Sequence, residues 1–317
     1  MILDEMILAI KKANKIAILT HINPDGDAVG SSLGMYLALK SINKQVDVII
    51  PEYARCFNFL PAVDEIKKQG TNDYDLIISL DCGSEQRLAD ENKTFSNTRL
   101  RIQLDHHVSN SMYADINYID PVAPACAQII IQVLKYWDIE ITKEIGICLL
   151  TGLITDTGGF AYEGVSAETL RIAAELLEKG INISNVYKKV LQTKTKTQFE
   201  LSKIATSRLE FFENGKIAFT YITLEDEKNI GAETGDHEGC VDIGRNIEGV
   251  EVSIFLRGTE NGVYKVSMRS NEYVNVADIC LMFGGGGHIR AAGCTINSGT
   301  VEQIRDKLIM ETKTYIK

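Results

Sequence analysis

Three short apolar runs each end in a cluster of acidic and imidazole residues, and this pairing constrains the fold more than any other feature of the chain. KIAILT (15–20) leads into HINPDGDAVGSS, LIISL (76–80) into DCGS, and LRIQL (100–104) into DHHVSN. Short apolar runs without polar alternation fit strands buried on both faces. QVDVII (45–50) reads as a fourth strand. Between them lie stretches with helical spacing: Ala28 to Leu39, Cys126 to Trp137, Glu144 to Ile154 and Ser166 to Lys179. The last is well punctuated, with Ser166 suited to its N-cap, Glu168 to its first turn and Gly180 to its end. Strands alternating with helices predict an α/β fold, a parallel sheet with helices on both faces.

The pattern changes near residue 188. VYKKVLQTKTKTQFELSK is polar, rich in Lys and Thr, and holds no β-run. It predicts a partly helical linker over 188–206, after a first domain spanning 1–187. KIAFTYIT (216–223), VEVSIFLRG (250–258), YKVSMRS (264–270), a helix from Val276 to Phe283, GCTI (293–296) and a helix near 300–312 then predict a smaller α/β domain over 207–317. A length of 317 residues fits about two domains.

In open α/β sheets, ligands bind beyond the carboxyl ends of the strands. Three strand ends therefore deliver His21, Asp25, Asp27, Asp81, Asp105, His106 and His107 to one rim, and Asp156 follows the helix ending near Ile154. Carboxylates and imidazoles suit Mn²⁺, Mg²⁺ or Zn²⁺, and the lack of cysteine ligands argues against a structural zinc site. So many acids in one place repel each other unless a cation joins them. Pro24 fixes one φ and Gly26 frees another, so their loop can aim Asp25 and Asp27 at different ions. One His or Asp after a strand is usually a turn or core residue. Four of the chain's five histidines (21, 106, 107 and 288) fall within the motif segments, which argues against coincidence.

The second domain offers SMRSNEYVNVADICLMFGGGGHIRAAGCTI. Gly284, Gly285, Gly286 and Gly287 expose backbone N–H groups before His288, a pattern that can cradle phosphate or simply form a flexible turn. The run does not open a helix as a dinucleotide fingerprint does. Arg269 at a strand end and the nearby Arg290 favour recognition of phosphate or carboxylate. Arg87, six residues past Asp81, can reach substrate or form a surface ion pair, and Ser109 and Asn110, directly after the histidine pair, can orient His107 or contact substrate. His237, in an acidic loop, reads as a plain exposed histidine.

The formal net charge of −10 excludes a protein that coats long nucleic acid, although bound cations can still prepare a site for a small phosphorylated substrate. No apolar run approaches a membrane span, MILDEMILAIKKANK has no signal-peptide pattern, and the seven cysteines form no CxxC pair. A cytoplasmic protein with buried free thiols is expected, with no membrane partner.

HINPDGDAVGS, DCGS, DHHVSN and TDTGGF, in this order, resemble the four motifs of the DHH phosphoesterase superfamily. MRSN…NV…FGGGGHIRAAG resembles the DHH-associated C-terminal domain, so the likeness spans nearly the whole chain. Cys82 departs from the Ser, Thr or Ala frequent after this Asp. The size and layout are similar to the bifunctional oligoribonuclease (nano-RNase) and 3′-phosphoadenosine 5′-phosphate phosphatase group. The resemblance implies two divalent cations, Mn²⁺ expected and Mg²⁺ open. His21, Asp25 and Asp81 would hold one, and Asp27, Asp81, His106 and Asp156 the other. Asp81 would bridge, Asp105 would orient His106, and His107 would meet the scissile phosphate or assist the leaving oxygen. Arg269, the glycines and His288 would grip a short oligonucleotide. Hydrolysis of linear or cyclic dinucleotides for signalling, and a non-catalytic nucleotide sensor, are the alternatives. The assembly state stays open, a homodimer included.

Overall fold

A computed structural model describes residues 2–90, 93–233, 235–259 and 262–317. The chain divides into two compact units, Met1–Thr193 and Lys194–Lys317.

The first unit runs α1 (Ile2–Lys12), β1 (Lys15–Leu19), α2 (Gly26–Ser41), β2 (Gln45–Ile49), β3 (Ile66–Lys67), β4 (Leu76–Leu80), α3 (Thr94–Asn97), β5 (Leu100–Asp105), β6 (Ile116–Ile119), α4 (Cys126–Tyr136), α5 (Lys143–Asp156), α6 (Ala167–Glu178) and α7 (Ile183–Tyr187). Its six strands pair in parallel in the order β3-β2-β1-β4-β5-β6. The order reverses between β1 and β4, which makes their carboxyl ends the crevice of a doubly wound sheet. All five residues of β4 are buried, as expected of a central parallel strand. The helix predicted from Ala28 begins at Gly26, because Asp25 caps it through Asp27 N–H and Ala28 N–H. The short strands β3 and β6 carry too little apolar pattern to be read from sequence.

The packing of α2 on α5 decides where the acids go. A Cβ on Gly30 would lie 2.4 Å from the Cys148 carbonyl oxygen, and one on Gly34 2.6 Å from a Leu149 methyl. A Cβ on Gly26 would meet the Thr155 side chain at 2.4 Å. The small residues of α2 thus serve close helix packing, which draws the start of α2 toward the end of α5.

Residues 188–206 are largely regular. Lys188–Gln192 form one π-helical turn, and α8 (Lys196–Ser207) is capped by Thr195 and buries Leu201 and Ala205 within the second unit. That unit continues with β7 (Glu210–Phe212), β8 (Ile217–Ile222), α9 (Leu224–Ile230), α10 (Cys240–Arg245), β9 (Val252–Gly258), β10 (Tyr264–Ser270), α11 (Val276–Met282), β11 (Gly286–His288), β12 (Ala291–Ile296) and α12 (Val301–Lys313). Its sheet has the order β11-β12-β10-β9-β8-β7, with β8 and β9 parallel and the other pairs antiparallel. Val266, Met268, Ala292 and Cys294 point into a core shared with Ile279, Cys280 and Leu308.

Candidate metal centre

The reversal point gathers eight of the expected residues. His21, Asp25 and Asp27 follow β1, Asp81 follows β4, Asp105 closes β5 ahead of His106 and His107, and Asp156 closes α5. Asp81 is 2% exposed and held at φ 52°, a left-handed turn that aims its carboxylate back over the sheet edge. One of its oxygens, Oδ2, lies 3.7 Å from His21 Nε2, and the other, Oδ1, lies 3.3 Å from His106 Nε2. Asp25 Oδ1 is 4.0 Å from His21 Nε2, and Asp156 Oδ2 and Asp27 Oδ2 are 3.3 and 3.9 Å from His106 Nε2. Asp81 Oδ1 is buried and makes no hydrogen bond.

Most of these separations are too long for good hydrogen bonds. The two 3.3 Å separations at His106 match neighbouring ligands of one cation, since metal bonds of about 2.1 Å set such donors roughly 3–3.5 Å apart, and the others, at 3.7, 3.9 and 4.0 Å, are somewhat wider. Among the described residues of this unit, His21–Asp25–Asp81 and Asp27–His106–Asp156 each gather donor atoms within 4.8 Å of one another, as does Asp81–Asp105–His107 beside them. Asp81 faces the first two through different oxygens. The donor set and the orphaned carboxylate oxygen fit two hard divalent cations.

The electrostatics agree. Burial pushes the Asp27 carboxyl up to about 7, and the charge of Asp81 adds to this. Asp156 is driven well above the usual carboxylate range by burial and by Asp25 and Asp27. Burial also opposes ionisation of Asp81, but the facing imidazole of His106, with those of His107 and His21, wins and holds its carboxyl low. His106 is raised by Asp81, Asp156 and Asp27 against its own burial. Without cations, these groups offset one another only by sharing protons.

Each donor is braced. His106 Nδ1 pairs with the Ala123 carbonyl at 3.2 Å, and His21 Nδ1 with that of Ile22 at 2.8 Å, so each ring turns Nε2 inward. Asp27 accepts the Cys126 and Ala127 N–H groups at 2.5 and 2.9 Å and the Ser31 hydroxyl at 3.0 Å. It therefore caps α4, whose own N-cap residue, Ala125, has no side-chain acceptor.

Several expectations change. Asp105 does not orient His106; its Oδ1 pairs with His107 Nδ1 at 2.7 Å. Of its two expected roles Asn110 takes the orienting one, through Asp105: its amide donates to Asp105 Oδ2, and its Oδ1 accepts Met112 N–H at 2.6 Å. The order of bracing is Asn110, Asp105, His107. Ser109 is exposed in a turn closed by Asn110 N–H to the His107 carbonyl at 3.1 Å. Arg87 is also exposed, and its carbonyl accepts Ile22 N–H at 2.8 Å, which keeps it beside His21.

In the second unit, Arg269 and His288 are both register partners of Ala291, from β10 and β11 respectively. They lie in one row on the face opposite the core, two strands or about 10 Å apart, with small Ala291 between them. The glycine run is no loose turn. A Cβ on Gly287 would sit 2.5 Å from the Ala291 carbonyl oxygen, and one on Gly285 2.2 Å from that of Gly293. Arg290 is not aimed at an anion; its guanidinium donates to the Val274 carbonyl at 2.9 Å and to that of Glu272. His237 is half-buried rather than exposed, with its Nδ1 buried and without a partner.

Comparisons with known proteins extend this picture. The model of the DHH family N-terminal domain matches residues 15–153, and that of the DHHA1 domain matches residues 214–314. A Thermus thermophilus protein described as a bifunctional oligoribonuclease and PAP phosphatase NrnA is 34% identical over 93% of this chain and 88% of its own. The Bacillus subtilis protein of the same description is 24% identical over 99% and 98%. An exopolyphosphatase-related protein from Bacteroides fragilis superposes with a TM-score of 0.88 at 29% identity, covering 99% of this chain and 96% of its own. Fold, site and relatives together define a hydrolase of phosphate esters. The chain belongs to the DHH family of phosphoesterases and carries the DHHA1 domain. Among the described residues, no helix is long and apolar enough to cross a membrane.

Proposed function

We propose that this enzyme hydrolyses short oligonucleotides to mononucleotides with two divalent cations, Mn²⁺ foremost, and also removes the 3′-phosphate of 3′-phosphoadenosine 5′-phosphate. The carrying observation is Asp81, a buried carboxylate whose two oxygens face two separate groups of His and Asp donors. The Thermus thermophilus relative, described as an oligoribonuclease and PAP phosphatase, supports the substrate class.

His21 and Asp25 would hold one ion, Asp27, His106 and Asp156 the other, with Asp81 shared between them. When bound, the ions supply the positive charge that a phosphate ester and its attacking water require. The chain's own residues do the remainder. Asp105 fixes the ring of His107 through Nδ1, so Nε2 is the atom that meets the scissile phosphate or passes a proton to the leaving oxygen. Arg87, beside His21, supplies a guanidinium for a phosphate oxygen. In the second unit, Arg269 offers a phosphate contact and His288 a ring for the terminal nucleotide. The small Ala291 lies between them in the register.

The test is a turnover panel with Mn²⁺: RNA of two to about ten nucleotides, a cyclic dinucleotide, 3′-phosphoadenosine 5′-phosphate and pyrophosphate. Mononucleotide release should be fastest from the shortest linear RNA. Preferential turnover of the cyclic dinucleotide, or of pyrophosphate, would overturn the assignment.

A further inference from the structure

The loop Asn271–Asn275 joins β10, which carries Arg269 next to its last residue, to α11, the helix that leads into the glycine run. Loops normally leave part of their backbone to water. This one does not. Glu251, 3% exposed, turns its carboxylate under the loop and accepts three consecutive N–H groups, those of Glu272 (3.0 Å), Tyr273 (2.8 Å) and Val274 (2.7 Å). From the other side, Arg290 donates to the carbonyls of Glu272 and Val274. The Ser270 hydroxyl adds a bond to the Val274 carbonyl at 2.6 Å. Asn271 ties the loop's start to the carbonyls of Arg245 and Val250 at 2.9 and 2.8 Å.

Arg290 occupies a telling position. His288 and Ala291 form the closing pair of the β11–β12 hairpin, so Ile289 and Arg290 are its two-residue tip. The Arg290 carbonyl accepts Ser270 N–H at 3.1 Å, and the Ile289 carbonyl accepts Val276 N–H at 2.9 Å. The hairpin carrying His288 is thereby tied, by side chain and backbone, to the end of β10 and the loop that follows it. A carboxylate beneath grips residues 272–274, and a guanidinium above grips Glu272 and Val274 among them. Charge-assisted hydrogen bonds of this kind are about twice as strong as neutral ones.

We infer that Glu251 and Arg290 are positioning residues: their clamp on residues 272–274 fixes the Arg269–His288 pair at the separation a short oligonucleotide needs. This rests on the reading of Arg269 and His288 as substrate-recognition groups. Neither Glu251 nor Arg290 touches substrate.

The experiment compares Arg290→Met, Arg290→Lys, Glu251→Gln and Arg269→Ala in the full-length Mn²⁺-loaded enzyme, with a linear RNA dinucleotide as substrate and circular dichroism as the check on folding. A loss of folded protein lowers kcat and leaves KM unmoved, so KM is the deciding quantity. Arg290→Met should raise KM on the order of tenfold with kcat within about twofold. Arg290→Lys should fall between Met and wild type, because one ammonium reaches only one of the two carbonyls. Glu251→Gln should also raise KM, since its amide sets donors against donors; if it fails to fold, the half-exposed Arg290 pair decides alone. If Arg269→Ala raises KM while Arg290→Met and Glu251→Gln leave it unchanged, the clamp is refuted and the recognition role of the second unit stands. If Arg269→Ala leaves KM unchanged, that role fails, and the positioning inference falls with it.

Discussion

Gly152 sits on α5 with its open side toward Asp27. A Cβ built there would lie 2.4 Å from Asp27 Oδ1, 2.8 Å from Ala127 Cβ and 3.2 Å from Asp27 Cα. Gly152→Ala therefore sets two effects against each other. Alanine in a helix interior gains about 1 kcal/mol over glycine. Overfilling a packed core costs about 1–3 kcal/mol. The nearest atom here is a carboxylate oxygen already bonded to Ser31 and Ala127, and another is backbone, so no flexible chain end can swing aside. The clash wins, with a net loss of about 0–2 kcal/mol and a fall of a few degrees in the melting temperature of the first unit. Activity should fall much further, because Asp27 must shift and a misplacement of about 1 Å costs on the order of 10²-fold. The assay pairs thermal unfolding with Mn²⁺-supported hydrolysis of a dinucleotide. A rise of several degrees with near wild-type turnover would mean that the seam between α2 and α5 does not place Asp27.

Three further outcomes are expected. Mn²⁺ at about 100 times its dissociation constant should stabilise the wild type by about 2.7 kcal/mol; Asp81→Asn should lose most of this gain along with turnover, and an unchanged Mn²⁺-dependent melting shift would count against the shared ligand. Gly287, at φ 146° with Ala291 and Ala292 backbone within 2.6 Å of where an added methyl would sit, should not tolerate alanine: Gly287→Ala should raise KM for the dinucleotide and leave the unfolding of the first unit unmoved. In the second unit, partial burial pushes Asp226 up, but its Arg208 and Thr223 bonds outweigh this and hold the carboxyl at about 2, below its ordinary value of 3.8. The ion pair's stabilisation is then fully present above about pH 4 and lost as pH falls through about 2, worth roughly 1 kcal/mol after solvent screening; urea midpoints at neutral and acid pH should show this acid loss in the wild type and not in Asp226→Asn.

What the sequence made legible follows from scale. Apolar-rich runs of five or six residues and a capped helix of twelve each repeat a pattern, so the central strands and α6 can be read directly. β3, with two residues, and β11, built on glycine, hold no pattern to read; sheet pairing alone defines them. The acids and histidines were visible for a similar reason, since each follows a recognisable strand end. Which acid serves which histidine was not. Asp105 is adjacent to His106 in sequence, yet at the end of an extended strand successive side chains diverge, and its carboxylate reaches the next residue but one, His107. Arg290 shows the opposite error: a cation near a glycine run suggests an anion site, whereas two backbone carbonyls 16 and 18 residues away occupy it.

Asp27 shows why the architecture holds together around so much charge. A buried carboxylate that served only a cation would leave the fold with an uncompensated group whenever the cation departed. Asp27 instead accepts two N–H groups from the start of α4 and a hydroxyl from Ser31 in its own helix. The helix terminus supplies partial positive charge as well as donors. One side chain thereby satisfies α4, which lacks a capping residue of its own, and presents an oxygen toward His106. The glycine at position 152 exists because that arrangement leaves no room for a methyl group. Helix capping, helix packing and ligand placement are thus one structural decision, and a substitution at any of the three should disturb the other two.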